Sequence, residues 1–399
     1  MSEYIVDRLG QLGDGIIDTP NGEIFAPFTL PGEHIEGNVE NGRVNSPKII
    51  KPVSDRIKPA CKHFKSCGGC SLQHASDTVI SDWKIRKTQD ALSQVNLHPE
   101  FRPIINSKAG SRRRATFAAK RTKKGALVGF HGRASDVIIE ISECPISDPI
   151  LLSGMPAFSQ FAILGSSRKA VLRISATVSG NSLDVKIDNG KKLSATEISK
   201  FAQICNQFKI LRLMWNDDVI AQSNPPSQKM GLADVIPPSG AFLQATKSGE
   251  AALIKTVLEI IGPSKRVVDL FAGCGTFALP ISSKATVHAL EGDANMIAAL
   301  DSGWRAAGGL HDIKSETRDL FRRPLMPDEF KKIDAIVIDP PRAGAVSQVV
   351  EIAKANVGRI AFVSCNPATF ARDASILCNN GYNLDWVQVI DQFLWNPHI

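Results

Sequence analysis

The 399-residue chain has no apolar run near the ~18 residues needed to cross a bilayer as a helix. Its opening stretch, MSEYIVDRLGQLGDG, lacks the apolar block of a secretory signal and carries Asp7 and Arg8. These absences predict a cytoplasmic protein with no membrane partner, and no obligate protein partner is evident. There is no internal repeat and no low-complexity segment. Tyrosine is scarce, at two residues, which decides nothing. Cysteine is sparse, at eight residues, and in a reducing compartment such thiols serve as metal ligands, nucleophiles or core fillers rather than disulfides. With 43% hydrophobic and 22% charged residues, the chain is neither disordered nor a disulfide miniprotein. Its length suggests roughly two or three domains of ~100–200 residues.

A further absence is local. Between Lys108 and Arg133 there is no Asp or Glu, yet there are nine basic residues: Lys108, Arg112, Arg113, Arg114, Lys120, Arg121, Lys123, Lys124 and Arg133. They supply the excess behind a net charge of +7. Phe117, Phe130 and His131 lie among them. Uncompensated positive charge with interleaved rings is a footprint for phosphates and unstacked bases. The plainer alternative is a solvated face of an antiparallel sheet, although mixed-sign surfaces are the norm there.

Three regions follow from the pattern. Residues 1–52 carry turn signals such as Asn21-Gly22 between short apolar runs, which predicts a small five-stranded OB-type β-barrel. Residues 53–235 hold a cysteine-bearing loop, a helical stretch over 76–97 and alternating β-like runs, an antiparallel α+β domain. Residues 236–399 alternate strand and helix. Buried-type runs VVDLF, TVHALE, AIVID and IAFVS predict a Rossmann-like α/β domain with a mostly parallel sheet. Six strands are expected there, at about 266–271, 286–291, 312–317, 333–338, 359–364 and 384–391.

CKHFKSCGGC places Cys61, Cys67 and Cys70 within ten residues, with glycines that let the backbone fold round. Thiolates are soft ligands, suited to zinc or iron–sulfur. Spacing does not separate the two metals. Cys144, in SECPISDP, is the best fourth ligand. KRVVDLFAGCGTF reads as a strand ending in Asp269, then a turn with Gly273 and Gly275, and Glu291 ends the next strand. Glycines let a ligand approach the backbone, and a carboxylate at that strand end accepts ribose hydroxyls. No third glycine completes a dinucleotide fingerprint, so S-adenosylmethionine is the better match. Asp339-Pro340-Pro341-Arg342 and Cys365 follow the fourth and fifth strands, where ligands bind in doubly wound folds. By position alone Cys365 is a nucleophile, activated by Arg342 or Arg372, or a small core filler. Cys205, Cys274 and Cys378 are assigned to packing, with Cys274 close to the cofactor turn.

Together these motifs (the Cys61 cluster with GGCSLQH, SECP, FLQ at Gln244, DLFAGCGTF, DPPRAG and SCNPATFARD) resemble the RNA 5-methyluridine methyltransferase family, in particular its 23S ribosomal RNA branch. The likeness spans nearly the whole chain, from a TRAM-like barrel onward. It implies an S-adenosylmethionine-dependent enzyme that methylates C5 of a uridine in RNA through a covalent Cys365 adduct. It implies a [4Fe–4S] cluster on Cys61, Cys67, Cys70 and Cys144. It places Gln244, Phe271, Thr276, Glu291, Asp319 and Asp339 in the S-adenosylmethionine and uracil pocket. In the family the segment matching DQFLWNPHI runs on into a proton-abstracting Glu and a seventh strand. The expectation is therefore a truncated copy or a form with poor turnover, with Asp391 as a weak substitute base. Transfer RNA as substrate, or an impaired RNA-binding protein with a structural metal site, are the alternatives.

Overall fold

The computed structural model describes residues 2–399. Strands Ser2–Ile5, His34–Gly37 and Lys48–Lys51 form one antiparallel sheet, and Arg8–Leu9, Gly15–Thr19 and Gly22–Ala26 form another. The first strand breaks at Val6-Asp7, and its halves pair in different sheets. Pairing continues across the break, where Val6 N–H donates to the Glu33 carbonyl and Asp7 N–H to that of Ile16. Both sheets close over one small core of Val6, Ile17, Ala26, Ile35 and Val44.

Helix Asp77–Ser93 begins at Ser76, whose hydroxyl accepts from the Val79 amide, an N-cap that satisfies an otherwise orphaned donor. It packs on helix Pro367–Cys378 of the last region. The central sheet has seven strands, from Ile138–Glu140 at one edge to Asp218–Gln222 at the other. It departs from an all-antiparallel reading at one place: Ser182–Asp188 and Ile210–Trp215 run parallel. Helix Ala195–Gln207, started by a Ser194/Glu197 capping box, supplies the crossover that a parallel pair requires.

The last region is a five-stranded parallel sheet. Its spatial order is Ile313–Thr317, Thr286–Glu291, Arg266–Leu270, Ala335–Ile338, Arg359–Phe362. Hairpin Gln228–Met230/Ala233–Val235 contributes Met230, Ala233 and Val235 to this domain's core, which therefore starts before residue 236. The sixth expected strand is present as Trp386–Asp391 but does not join this sheet. It pairs in parallel with Glu100–Asn106 of the central region. The chain leading into Glu100–Asn106 comes from the helix docked on Pro367–Cys378, which delivers that strand alongside. No described helix is long and apolar enough to cross a membrane.

Candidate active site

The parallel strands end on one side of the sheet, so the loops that leave them share a cleft. Arg266–Leu270 opens into the turn Phe271–Thr276. Phe271 holds φ +63, a strained value for a bulky residue. Gly275 has φ +96, and a Cβ there would meet Leu279 at 2.8 Å. Gly273 has φ +56 with nothing within 4 Å of a Cβ position, so the turn faces open space. Glu291 ends the neighbouring strand. Its carboxylate accepts from the backbone N–H of Gly273 and of Asp293, each at 3.0 Å. Those two bonds leave lone pairs free for ribose hydroxyls. The donor set and the open turn fit an adenosine-type ligand. Thr276 is half-buried on the same turn, and Asp319 is exposed beyond the third strand. Phe271 packs its ring 5.5 Å from that of Phe321, two residues past Asp319.

Asp269 lies beneath this turn, fully buried, and neither carboxylate oxygen has a hydrogen-bond partner. Burial first, then the charge of Asp339, raises it far above the ordinary range. Asp339 follows strand Ala335–Ile338. Burial pushes its carboxyl up to about 7, so it is poised between acid and carboxylate. Gln244, 7% exposed, points its amide nitrogen at Asp339 Oδ2 at 3.5 Å. Its backbone carbonyl accepts from Arg113 Nε, and the Arg113 guanidinium is paired with buried Glu250.

Cys365 follows strand Arg359–Phe362 and is exposed. It is neither a core filler nor walled off from the cleft. Burial of part of the thiol and the nearby Asp339 charge raise its pKa, and Arg342 lowers it. The net shift is upward, so the resting group is a thiol. Arg342 is held next to Cys365 because its carbonyl accepts from Asn366 Nδ2 at 3.0 Å and from Thr369 Oγ1 at 3.2 Å. Arg372, the other cation expected to help, is committed elsewhere. Its guanidinium bonds Asp373 at 2.8 Å and the Ala343 carbonyl at 2.9 Å. Asp391 is no free base either: it is buried against Lys84 Nζ at 2.7 Å and accepts from the Phe393 amide.

Cys61, Cys67, Cys70 and Cys144 line one cavity of about 380 Å³. Gly69 N–H donates to Cys67 Sγ at 3.4 Å, and Ser147 Oγ donates to Cys144 Sγ at 3.2 Å. Cys61, Cys67 and Cys70 are raised by burial and then by mutual charge, Cys70 to about 12. Four thiols that repel one another when ionised favour a bound cation. Among the described residues, no three metal-binding side chains converge as on a single ion. The loop is fastened by the chain's last segment: the Trp395 carbonyl accepts from the Ser71 and Leu72 amides, and Asn396 Nδ2 donates to the Gly69 carbonyl.

The basic strip divides. Phe117 is not a base platform; it is buried and stacks on Phe130 in the central core. Arg113 serves Glu250, and Arg133 pairs with Asp14 and lies over Phe28. Arg121, Lys123 and Lys124 stay exposed at a hairpin turn. Sequence reasoning missed Phe242, a ring 58% exposed with the Arg114 guanidinium 4.4 Å from its centre. Its only signal was its place two residues before Gln244.

Residues 203–399 match the tRNA (Uracil-5-)-methyltransferase family. An uncharacterized RNA methyltransferase of Rhizobium meliloti is 42% identical, with the alignment covering 99% of this chain and 96% of that protein. A 23S rRNA (uracil(1939)-C(5))-methyltransferase, RlmD, of Vibrio vulnificus is 28% identical over 100% of this chain and 94% of its own. The solved Pyrococcus abyssi tRNA (uracil-54, C5)-methyltransferase, in complex with S-adenosyl-L-homocysteine, shares the fold with a TM-score of 0.76. Its identity is 21%, with 99% of this chain and 97% of that chain covered. This chain belongs to the tRNA (uracil-5-)-methyltransferase family of RNA methyltransferases.

Proposed function

We propose that the protein methylates C5 of a uridine in RNA, with 23S ribosomal RNA as substrate and S-adenosylmethionine as methyl donor. The observation that carries this is the exposed Cys365 thiol, set at a strand end beside Asp339 and Arg342 and on the same edge as the glycine turn. A methyltransferase acting on an amine needs no thiol there. C5 of uracil is a poor nucleophile until C6 is attacked.

S-adenosylmethionine, when bound at Phe271, Thr276, Glu291 and Asp319, supplies a methyl group made electrophilic by its sulfonium. Cys365 Sγ loses its proton and bonds to C6, and the ring electrons move toward C5 and the O4 carbonyl. Arg342 favours the thiolate at the moment of attack. Neutral Asp339 donates to a uracil carbonyl as negative charge builds on it, with Gln244 beside it. C5 takes the methyl and S-adenosylhomocysteine is released; water accepts the C5 proton, and the electrons of that C–H bond restore the ring as Cys365 Sγ leaves C6 and regains a proton from solvent. The uridine must be unpaired or flipped to present C5 and C6. Arg114 with Phe242, and the exposed Arg121, Lys123 and Lys124, face flanking RNA. Cys61, Cys67, Cys70 and Cys144, which line one cavity, would hold a [4Fe–4S] cluster, and that cluster would order the cysteine loop.

The likeness to the Vibrio vulnificus enzyme favours ribosomal RNA, and the fold shared with the Pyrococcus abyssi enzyme makes transfer RNA the outcome to test against. The experiment is mass mapping of 23S ribosomal RNA and transfer RNA after incubation with protein and methyl donor, with Cys365→Ala as control. Methyl on a ribosomal uridine that is lost in the control supports the proposal. Methyl on transfer RNA alone changes the substrate, and methyl that persists in Cys365→Ala overturns the chemistry.

A further inference from the structure

Gln392 borders the cavity of the four cysteines and has been given no role so far, yet it is only 8% exposed and both ends of its amide are committed. The backbone N–H of Thr246 donates to Gln392 Oε1 at 3.4 Å. A backbone N–H can only donate, so this contact determines which end of Gln392 is oxygen. Its Nε2 then donates to Gln244 Oε1 at 2.8 Å, which leaves Gln244 Nε2 turned toward Asp339 Oδ2 at 3.5 Å. The three donors run one way, from the backbone to Asp339. Turning either amide over would bring donor against donor or oxygen against oxygen.

The surroundings are shaped for Gln392. A Cβ on Gly249 would come within 2.3 Å of Gln392 Cγ, so the first turn of helix Lys247–Ile261 leaves room for it. The preceding residue, Asp391, is clamped by buried Lys84. Gln392 therefore enters the interior at a defined height and angle, and a buried amide so placed has little freedom to turn.

We infer that Gln392 is a positioning residue for methyl transfer, locking the Gln244 side chain so that its N–H, not its carbonyl, faces Asp339 at the reacting centre. The inference deepens the uracil-C5 reading and rests on it. Without the lock Gln244 turns over, and its oxygen faces Asp339. That oxygen repels the carboxylate or captures the acid proton that uracil needs. Asp339 then holds its proton to higher pH. The other groups around it are Asp269 from the adjacent strand, Cys365 and Arg342, with the Arg113–Glu250 pair behind Gln244 and Glu291 one strand further off, beside Asp269. None of them changes in the test.

Two variants distinguish a lock from simple packing. Gln392→Met keeps the length and removes both polar ends. Gln392→Glu is isosteric and can accept from Thr246, but its second oxygen attracts the Gln244 N–H and turns that amide over. Three readouts apply: Asp339 titration by ¹³C NMR of labelled carboxyl carbons in the RNA-free protein, calorimetric binding of S-adenosylhomocysteine, and kcat against KM on RNA. The expected result is a higher Asp339 titration midpoint in both variants. With it, kcat should fall about tenfold in Gln392→Met and further in Gln392→Glu, with KM within about twofold. An unmoved Asp339 midpoint overturns the lock, as does a loss confined to KM or thermal stability. If one variant fails to fold, the Asp339 midpoint of the other still decides between lock and packing. Wild-type protein that methylates no RNA defeats the uracil-C5 reading, while the NMR arm still decides the lock.

Discussion

Lys84 Nζ sits 2.7 Å from Asp391 Oδ1 with both side chains sealed from water, at 0% and 3% exposure. The pair joins helix Asp77–Ser93 to the end of the strand before Gln392, and Lys84 also donates to the Phe393 carbonyl at 3.1 Å. Burial lowers the lysine's pKa, and Asp391 opposes that shift. Removing one partner leaves the other charge buried and unpaired. Lys84→Met or Asp391→Asn should each cost about 3–5 kcal/mol, whereas Lys84→Met with Asp391→Leu should cost much less. Urea unfolding of the three variants measures this.

Cys365→Ala should lower methyl transfer by at least about a thousandfold, since no other group can add to C6. Because the residue is exposed, the unfolding free energy should stay within about 0.5 kcal/mol of wild type. Denaturing gels of protein mixed with 5-fluorouridine RNA should show a covalent band in wild type and none in the variant.

Asp339 titrates near 7, above its value in an unfolded chain, so the folded protein binds the proton more tightly. Its contribution to stability is complete below about pH 4. It is lost progressively as pH rises to 7 and flat beyond. Asp339→Asn should flatten that decline in a denaturation series. In catalysis the neutral acid is the useful form, so kcat/KM should show a limb falling through pH 7 that Asp339→Asn, itself a donor, removes.

Gly275→Ala places a methyl against Leu279 and Leu300 at a backbone angle that disfavours it. Loss of about 1–3 kcal/mol is expected, with weaker S-adenosylhomocysteine binding in calorimetry.

Protein purified without oxygen should be brown and carry about four iron and four sulfide per chain. Cys144→Ser should reduce both. Colourless protein holding stoichiometric zinc would reverse the assignment.

Motifs at strand ends were readable because a parallel sheet puts every strand's carboxyl end on one side. Asp339, Glu291 and Cys365 could thus be assigned to one cleft from order alone. Cys61, Cys67 and Cys70 are neighbours in sequence, whereas Cys144 comes to line the same cavity only through tertiary folding. What could not be read is what depends on contacts far apart in sequence. Trp386–Asp391 has the pattern of a sheet strand, and nothing local reveals that its partner is Glu100–Asn106. Phe117 looked like a base platform because charge surrounds it in sequence, while alternation along Arg114–Arg121 turns its ring into the core. Arg342 and Arg372 are equivalent in sequence, and only Asp373 and the Ala343 carbonyl set them apart.

The Trp395 carbonyl receives the amides of Ser71 and Leu72, residues made more than 300 positions earlier. At ~5–20 residues per second, a ribosome needs roughly tens of seconds to supply that carbonyl after the cysteine loop has emerged. During that interval three thiols wait on an unfastened loop. The loop gains these fastenings only after Trp395 and Asn396 have been made, so its order depends on a segment far along the chain.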